Sequence, residues 1–106
     1  MKKLHLALST RQLDLCVLDY SKRLGLAPCV HVAGAYALWR TESLNVSVRQ
    51  DPDLPAGHLR HLGWEDSQAE AFSQDLDVNG VVWERFTAQK QAEEIHEIWP
   101  EVDDKP

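Results

Sequence analysis

From Lys3 to Leu8 the chain alternates, with Leu4, Leu6 and Leu8 on one face and Lys3, His5 and Ala7 on the other. That period of two is expected of a strand covered by a helix on one side, and it turns His5 away from the main apolar face. Leu13, Cys16, Val17, Tyr20 and Leu24 then recur at helical spacing. Ser9 or Thr10 can cap this helix, and Gly25 and Pro28 stop it. Three short strands are predicted over 29–33, Tyr36–Arg40 and Leu44–Gln50, with Gly34 allowing the tight turn between the first two. In the third, Leu44, Val46 and Val48 share one face and Asn45, Ser47 and Arg49 the other. The polar side either lines a cleft or faces water.

Residues 51–57 hold Pro52, Pro55 and Gly57 among Asp51 and Asp53, the composition of a connecting loop. A strand over 61–65 follows. Ser67-Gln68-Ala69-Glu70 has the form of a capping box and predicts a helix that buries Ala69, Phe72 and Leu76 and ends at Asn79-Gly80. Residues 81–86 return as a strand. Behind a Thr87 cap, Ala88, Ala92, Ile95 and Trp99 are spaced four, three and four apart, which predicts a C-terminal helix ended by Pro100.

At 106 residues, 43% of them hydrophobic, the chain is long enough for one domain with a core that needs no disulfides. Cys16 and Cys29 are expected to be reduced thiols in a cytoplasmic protein, Cys16 packed on the apolar face of the first helix. No apolar run approaches the roughly 20 residues that cross a bilayer. The formal net charge of -6 opposes nucleic acid or an anionic membrane as partner, since both are polyanions. No Cys-x-x-Cys, phosphate-binding glycine loop or nucleophile elbow is present.

Laying His61 on His5 pairs His5-Leu6-Ala7-Leu8 with His61-Leu62-Gly63-Trp64, a weak internal repeat. Each histidine lies opposite the leucine face and is followed two positions later by a small residue. Two such strands side by side would carry an imidazole each on one face, with room around it. Together with Leu4-His5-Leu6, the helix end from Tyr20 to Leu24 and on to Gly25-Leu26-Ala27-Pro28, the strands Tyr36-Ala37-Leu38-Trp39 and Leu44-Asn45-Val46-Ser47-Val48, and His58-Leu59-Arg60-His61, this order of pieces resembles the vicinal-oxygen-chelate (glyoxalase/bleomycin-resistance/dioxygenase) superfamily over about residues 3 to 86.

The resemblance implies an α+β fold: a curved mixed sheet of βαβββ modules, with 3–50 as the first module, 58–86 as a partial second one and a C-terminal helix over 87–100. It implies a small glyoxalase-like protein that holds a divalent metal ion (Fe, Zn, Ni or Mn) on His5 and His61 and acts as a lyase, isomerase or dioxygenase on a small oxygen-rich substrate. Trp39, Asn45, Ser47, Arg49 and Trp83 are then candidates to line the cleft. Two strands are expected to be missing after 81–86, and with them the glutamate that usually completes the ligand set; Asn45 and Ser47 stand where the first module's own ligand would be. Glu84, Glu93, Glu94, His96 and Glu97 remain as candidates for a third donor, Glu94 and His96 being explained equally well by a charged helix surface. His58 reads as loop and His31 as a polar strand residue. Two other readings stand beside the metal enzyme, a module that sequesters a small molecule without metal chemistry and a degenerate dimerisation domain. An incomplete sheet also favours a homodimer.

Overall fold

The first alternation is realised as strand β1 (Lys2–Thr10), followed by helix α1 (Leu13–Leu24), β2 (Val30–Val32), β3 (Tyr36–Arg40), β4 (Leu44–Gln50), β5 (Leu59–Asp66), β6 (Ser73–Leu76), β7 (Val82–Phe86) and helix α2 (Ala88–Ile98). These elements are those of a computed structural model that describes residues 1–106. The strands form one curved, open sheet in the order β2-β3-β4-β1-β5-β7-β6, so the fold is α+β with mixed strand directions.

Each helix covers a different face. Leu13 of α1, with the half-buried Cys16, Val17, Tyr20 and Leu24, packs on Ala37, Trp39, Val46 and Val48 and on Leu6 and Leu8. On the opposite face Ile95 of α2, with Trp99 and Val102, packs on Val30, Tyr36 and Leu38. Successive residues of β3 thus serve two cores, as strand alternation requires. The expected Ser9 or Thr10 cap of α1 is not made. Gln12 is the N-cap residue, the Leu13 N–H donates to Gln50 Oε1 at 2.9 Å, and Ser9 Oγ donates to the Pro55 carbonyl at 3.1 Å instead.

The helix expected over 67–79 is absent. Ser67 Oγ accepts from the Met1 ammonium at 3.1 Å, and Asp66 Oδ1 takes the Gln68 N–H at 2.9 Å, so the would-be capping residues are drawn into a turn that closes β5. Three apolar positions also give a helix little to bury: Leu76 remains 66% exposed. The free edge of β7 instead pairs antiparallel with β6. Asp77 builds the connecting turn, accepting from Asn79 N–H, Val81 N–H and Trp83 Nε1, while Gly80 supplies a φ of 80°. Leu62, Trp64 and Trp83 share one sheet face, continuous with that of Leu4 and Leu6.

The second half is incomplete in a different way from that expected. β7 lies parallel to β5 as β4 lies parallel to β1, and β6 flanks β7 as β3 flanks β4. The strand over 81–86 therefore holds the place of a module's last strand. What is missing is the helix and one strand before it.

Candidate metal centre

β1 and β5 are neighbours, and their antiparallel register sets His5 opposite Gly63 and Ala7 opposite His61. Each imidazole thus faces the small residue of the other half, which leaves both rings free to lean toward each other on the α2 face. Their Nε2 atoms are 3.0 Å apart. β7 brings a third donor, because Gly63 pairs with Glu84, and Glu84 Oε1 lies 3.1 Å from His61 Nε2. Gly63 makes this approach possible: a Cβ there would run into the Glu84 carbonyl oxygen, with the carbonyl carbon and amide nitrogen at 3.0 and 3.1 Å.

The donor atoms of His5, His61 and Glu84 lie within 4.8 Å of one another. Two donors each about 2.1 Å from an ion and at right angles are about 3.0 Å apart. The measured 3.0 and 3.1 Å therefore suit adjacent corners of an octahedron. Two imidazoles and one carboxylate occupy three positions of such an ion and leave others open.

The protonation of His5 follows from its neighbours. Arg40 can only donate and Glu65 can only accept, and between them they fix two amides. Arg40 donates to Gln91 Oε1 at 3.0 Å, and Asn45 Nδ2 donates to Glu65 Oε1 at 2.9 Å and Gln91 Oε1 at 2.7 Å. Asn45 Oδ1 is then the acceptor, so His5 donates to it from Nδ1 at 2.8 Å and presents an unprotonated Nε2 toward His61. Burial holds the His5 pKa below its ordinary value, and the nearby His61 acts in the same direction against the Asn45 hydrogen bonds and Glu84. A neutral ring with its lone pair on Nε2 is the form a metal ion binds. Phe86 meets this ring edge-on, with centroids 5.0 Å apart.

A cavity of about 140 Å³ opens beside the three donors, roofed by Gln91, Glu94, Ile95 and Ile98 of α2 and walled by Tyr36 and Trp99. Those two rings stack at 4.9 Å. Burial pushes the Tyr36 pKa up to about 12, so its hydroxyl stays protonated. Burial likewise raises the Glu94 carboxyl.

Of the cleft residues expected from the sequence, Ser47 and Arg49 line this cavity and Asn45 lies fully buried beneath His5. Trp39 and Trp83 do not line it. Trp39 is buried in the α1 core, donating from Nε1 to Ser21 Oγ at 3.2 Å, because β3 alternates and Leu38 takes the other face. Trp83 alternates with Glu84 and so points to the opposite face, 6.4 Å from the Trp64 ring. Among the third-donor candidates, Glu84 joins the histidines, Glu94 faces the cavity, and Glu93, His96 and Glu97 are exposed. His58 and His31 are exposed outside the site, and both cysteines are free thiols. Gln91 and Arg60 were not singled out in the sequence. Gln91 shares a helix column with Glu94, Ile95 and Ile98, a spacing that marks one face but not its chemistry.

No protein-family model matches this chain, and no curated protein sequence matches it.

Proposed function

We propose that the chain is a glyoxalase-like protein that holds one divalent metal ion on His5, His61 and Glu84 and acts on a small oxygen-rich substrate as a lyase, isomerase or dioxygenase. The observation that carries this reading is the His5–His61–Glu84 cluster, with donor spacings of 3.0 and 3.1 Å about His61 Nε2 and with His5 Nε2 left unprotonated by the Asn45 hydrogen bond. Iron, nickel, manganese or zinc suits such a donor set. A bound ion would supply Lewis acidity toward two adjacent substrate oxygens as negative charge develops on them.

The chain's own residues do the rest. Asn45 holds the His5 ring in orientation, and Gln91 in turn holds the Asn45 amide. Glu94, whose burial favours its protonated form, is placed to hold or release a proton at its carboxylate oxygens. Phe86, Ile95 and Ile98 supply an apolar part of the wall beside the donors. One observation favours a second reading, binding without turnover: the Tyr36–Trp99 stack forms an aromatic wall that would retain a flat guest. The open edges of the sheet leave room for a homodimer in either case. No helix is long and apolar enough to cross a membrane.

Elemental analysis of tag-free protein tests the first reading. Wild type should carry one divalent ion per chain, and His5→Ala, His61→Ala and Glu84→Gln should each lose it while keeping the far-UV circular dichroism of wild type. Equal metal content in wild type and all three variants would overturn it.

A further inference from the structure

Arg49 and Arg60 enter the cavity from opposite sides of β1. Arg49 leaves β4 level with Ser9. Arg60 is the extra residue of a bulge in β5, since Ala7 pairs with His61 and Leu8 with Leu59. In an unbroken strand Arg60 would alternate with His61 and point to the α1 face; the bulge turns it into the cavity beside His61. Between the two arginines β1 presents only Ala7 and Ser9, so no bulky side chain separates them.

Neither guanidinium has a counter-ion. None of the chain's ion pairs involves Arg49 or Arg60. Arg49 Nε is buried without a hydrogen-bond partner, and its Cζ lies over the Trp99 ring, 5.5 Å from the centroid. A cation over an aromatic face keeps its N–H donors available to an anion. Burial, and after it repulsion from Arg49, lowers the Arg60 pKa. Tyr36, Glu84 and Asp51 offset part of this, but no carboxylate forms an ion pair with either arginine, and Glu84 Oε1 lies against His61 instead. In a chain with 17 acidic residues against 11 basic ones, two adjacent unpaired arginines in one cavity are a specific arrangement.

We propose that Arg49 and Arg60 form a subsite for an organic oxyanion, and that the molecule handled here is a small acid whose carboxylate or phosphonate lies on the two guanidiniums while its other oxygens face His5, His61 and Glu84. The oxyanion subsite stands without the metal; that its occupant also meets an ion rests on the function proposed above. Guanidinium forks match planar carboxylates and tetrahedral oxyanions through paired N–H donors. The size of the guest follows from the cavity. About 140 Å³ is close to the roughly 150 Å³ that accommodates benzene, so the part of the acid held inside the cavity is about the size of a benzene ring.

Titration of chelator-stripped protein with benzoate, phenylphosphonate and neutral benzamide tests this. Benzoate or phenylphosphonate should bind at least about tenfold more tightly than benzamide, with a preference that weakens as salt is added. Arg49→Gln and Arg60→Gln should each remove most of that preference and leave benzamide binding unchanged, while Arg60→Lys should retain part of it. Equal affinity of wild type for the anions and benzamide would overturn the subsite, as would glutamine variants that keep the preference. If the glutamine variants do not fold, the wild-type ratio and its salt dependence decide. A parallel zinc titration separates the two proposals: zinc binding without anion preference overturns the subsite alone, and anion preference in protein that takes up no ion overturns the metal reading alone.

Discussion

Gly63→Ala puts the smallest possible change at the point where β7 closes on β5. The added Cβ meets the Glu84 peptide itself, its carbonyl oxygen first and its carbon and nitrogen at 3.0 and 3.1 Å, so no flexible side-chain end can swing aside. β7 has to move by about an ångström, and forcing an extra methyl group into a packed place of this kind costs about 1–3 kcal/mol. For a domain of this size each kcal/mol lowers Tm by about 4–8 °C. The displacement also carries Glu84 away from His61, whereas metal ligands have to stand within about 0.2 Å of their places. Gly63→Ala should therefore lower Tm by several degrees and weaken divalent-metal binding by about tenfold or more. Ser73→Ala, exposed on β6, should leave Tm within the range of ordinary surface changes. Calorimetric melting and isothermal titration read the two effects. A Gly63→Ala protein with wild-type Tm and wild-type metal affinity would refute the argument that this close approach positions Glu84.

Asn45→Leu removes the side-chain acceptor that orients His5 and leaves only the Asn45-position backbone carbonyl, 3.2 Å from Nδ1, to hold it. Loss of such an outer partner typically weakens metal affinity about 10–100-fold, and an unchanged affinity would show that the amide does not orient the ring. The pH dependence has a definite sign. Because burial sets the His5 pKa below its ordinary 6.5, the unfolded chain binds more protons between 6.5 and that lower value. The His5 contribution to stability is complete above 6.5, declines as pH falls through that window and levels off below the folded pKa. Urea midpoints of the apoprotein should follow this course, and a His5→Gln variant should lose this part of the decline; the same decline in both would remove His5 as its source.

The first half of the chain was legible because each element repeats its period several times. Leu4, Leu6 and Leu8 define one face of β1, and the α1 residues from Leu13 to Leu24 define one side of a helix. The placement of both histidines on one face followed from the same alternation and from the small residues at positions 7 and 63. Residues 67–79 were misread because the capping pattern at Ser67 is local, while the turn formed there depends on Met1 and Asp66 at the sheet edge. That misreading also hid the place of Glu84, since counting β7 as the first of three strands put the carboxylate in the wrong position of the module. Trp39 and Trp83 were assigned by residue type, although the parity of their strands sends both to the other face. Arg60 was beyond reach, because a bulge is set by pairing with β1 and leaves no mark in residues 59–61 themselves.

The pairing of β1 with β5 makes the two halves near mirror partners in role: Ser47, beside Ala7 on β4, holds the station that Glu84 holds beside Gly63 on β7. One flank offers an anionic anchor and the other a neutral hydroxyl with scant grip on a cation. Any cation seated between the imidazoles would lean toward β7. The ground thereby vacated, bordered by Ser47, Tyr36 and Arg49, is where an incoming acid would have space to lie.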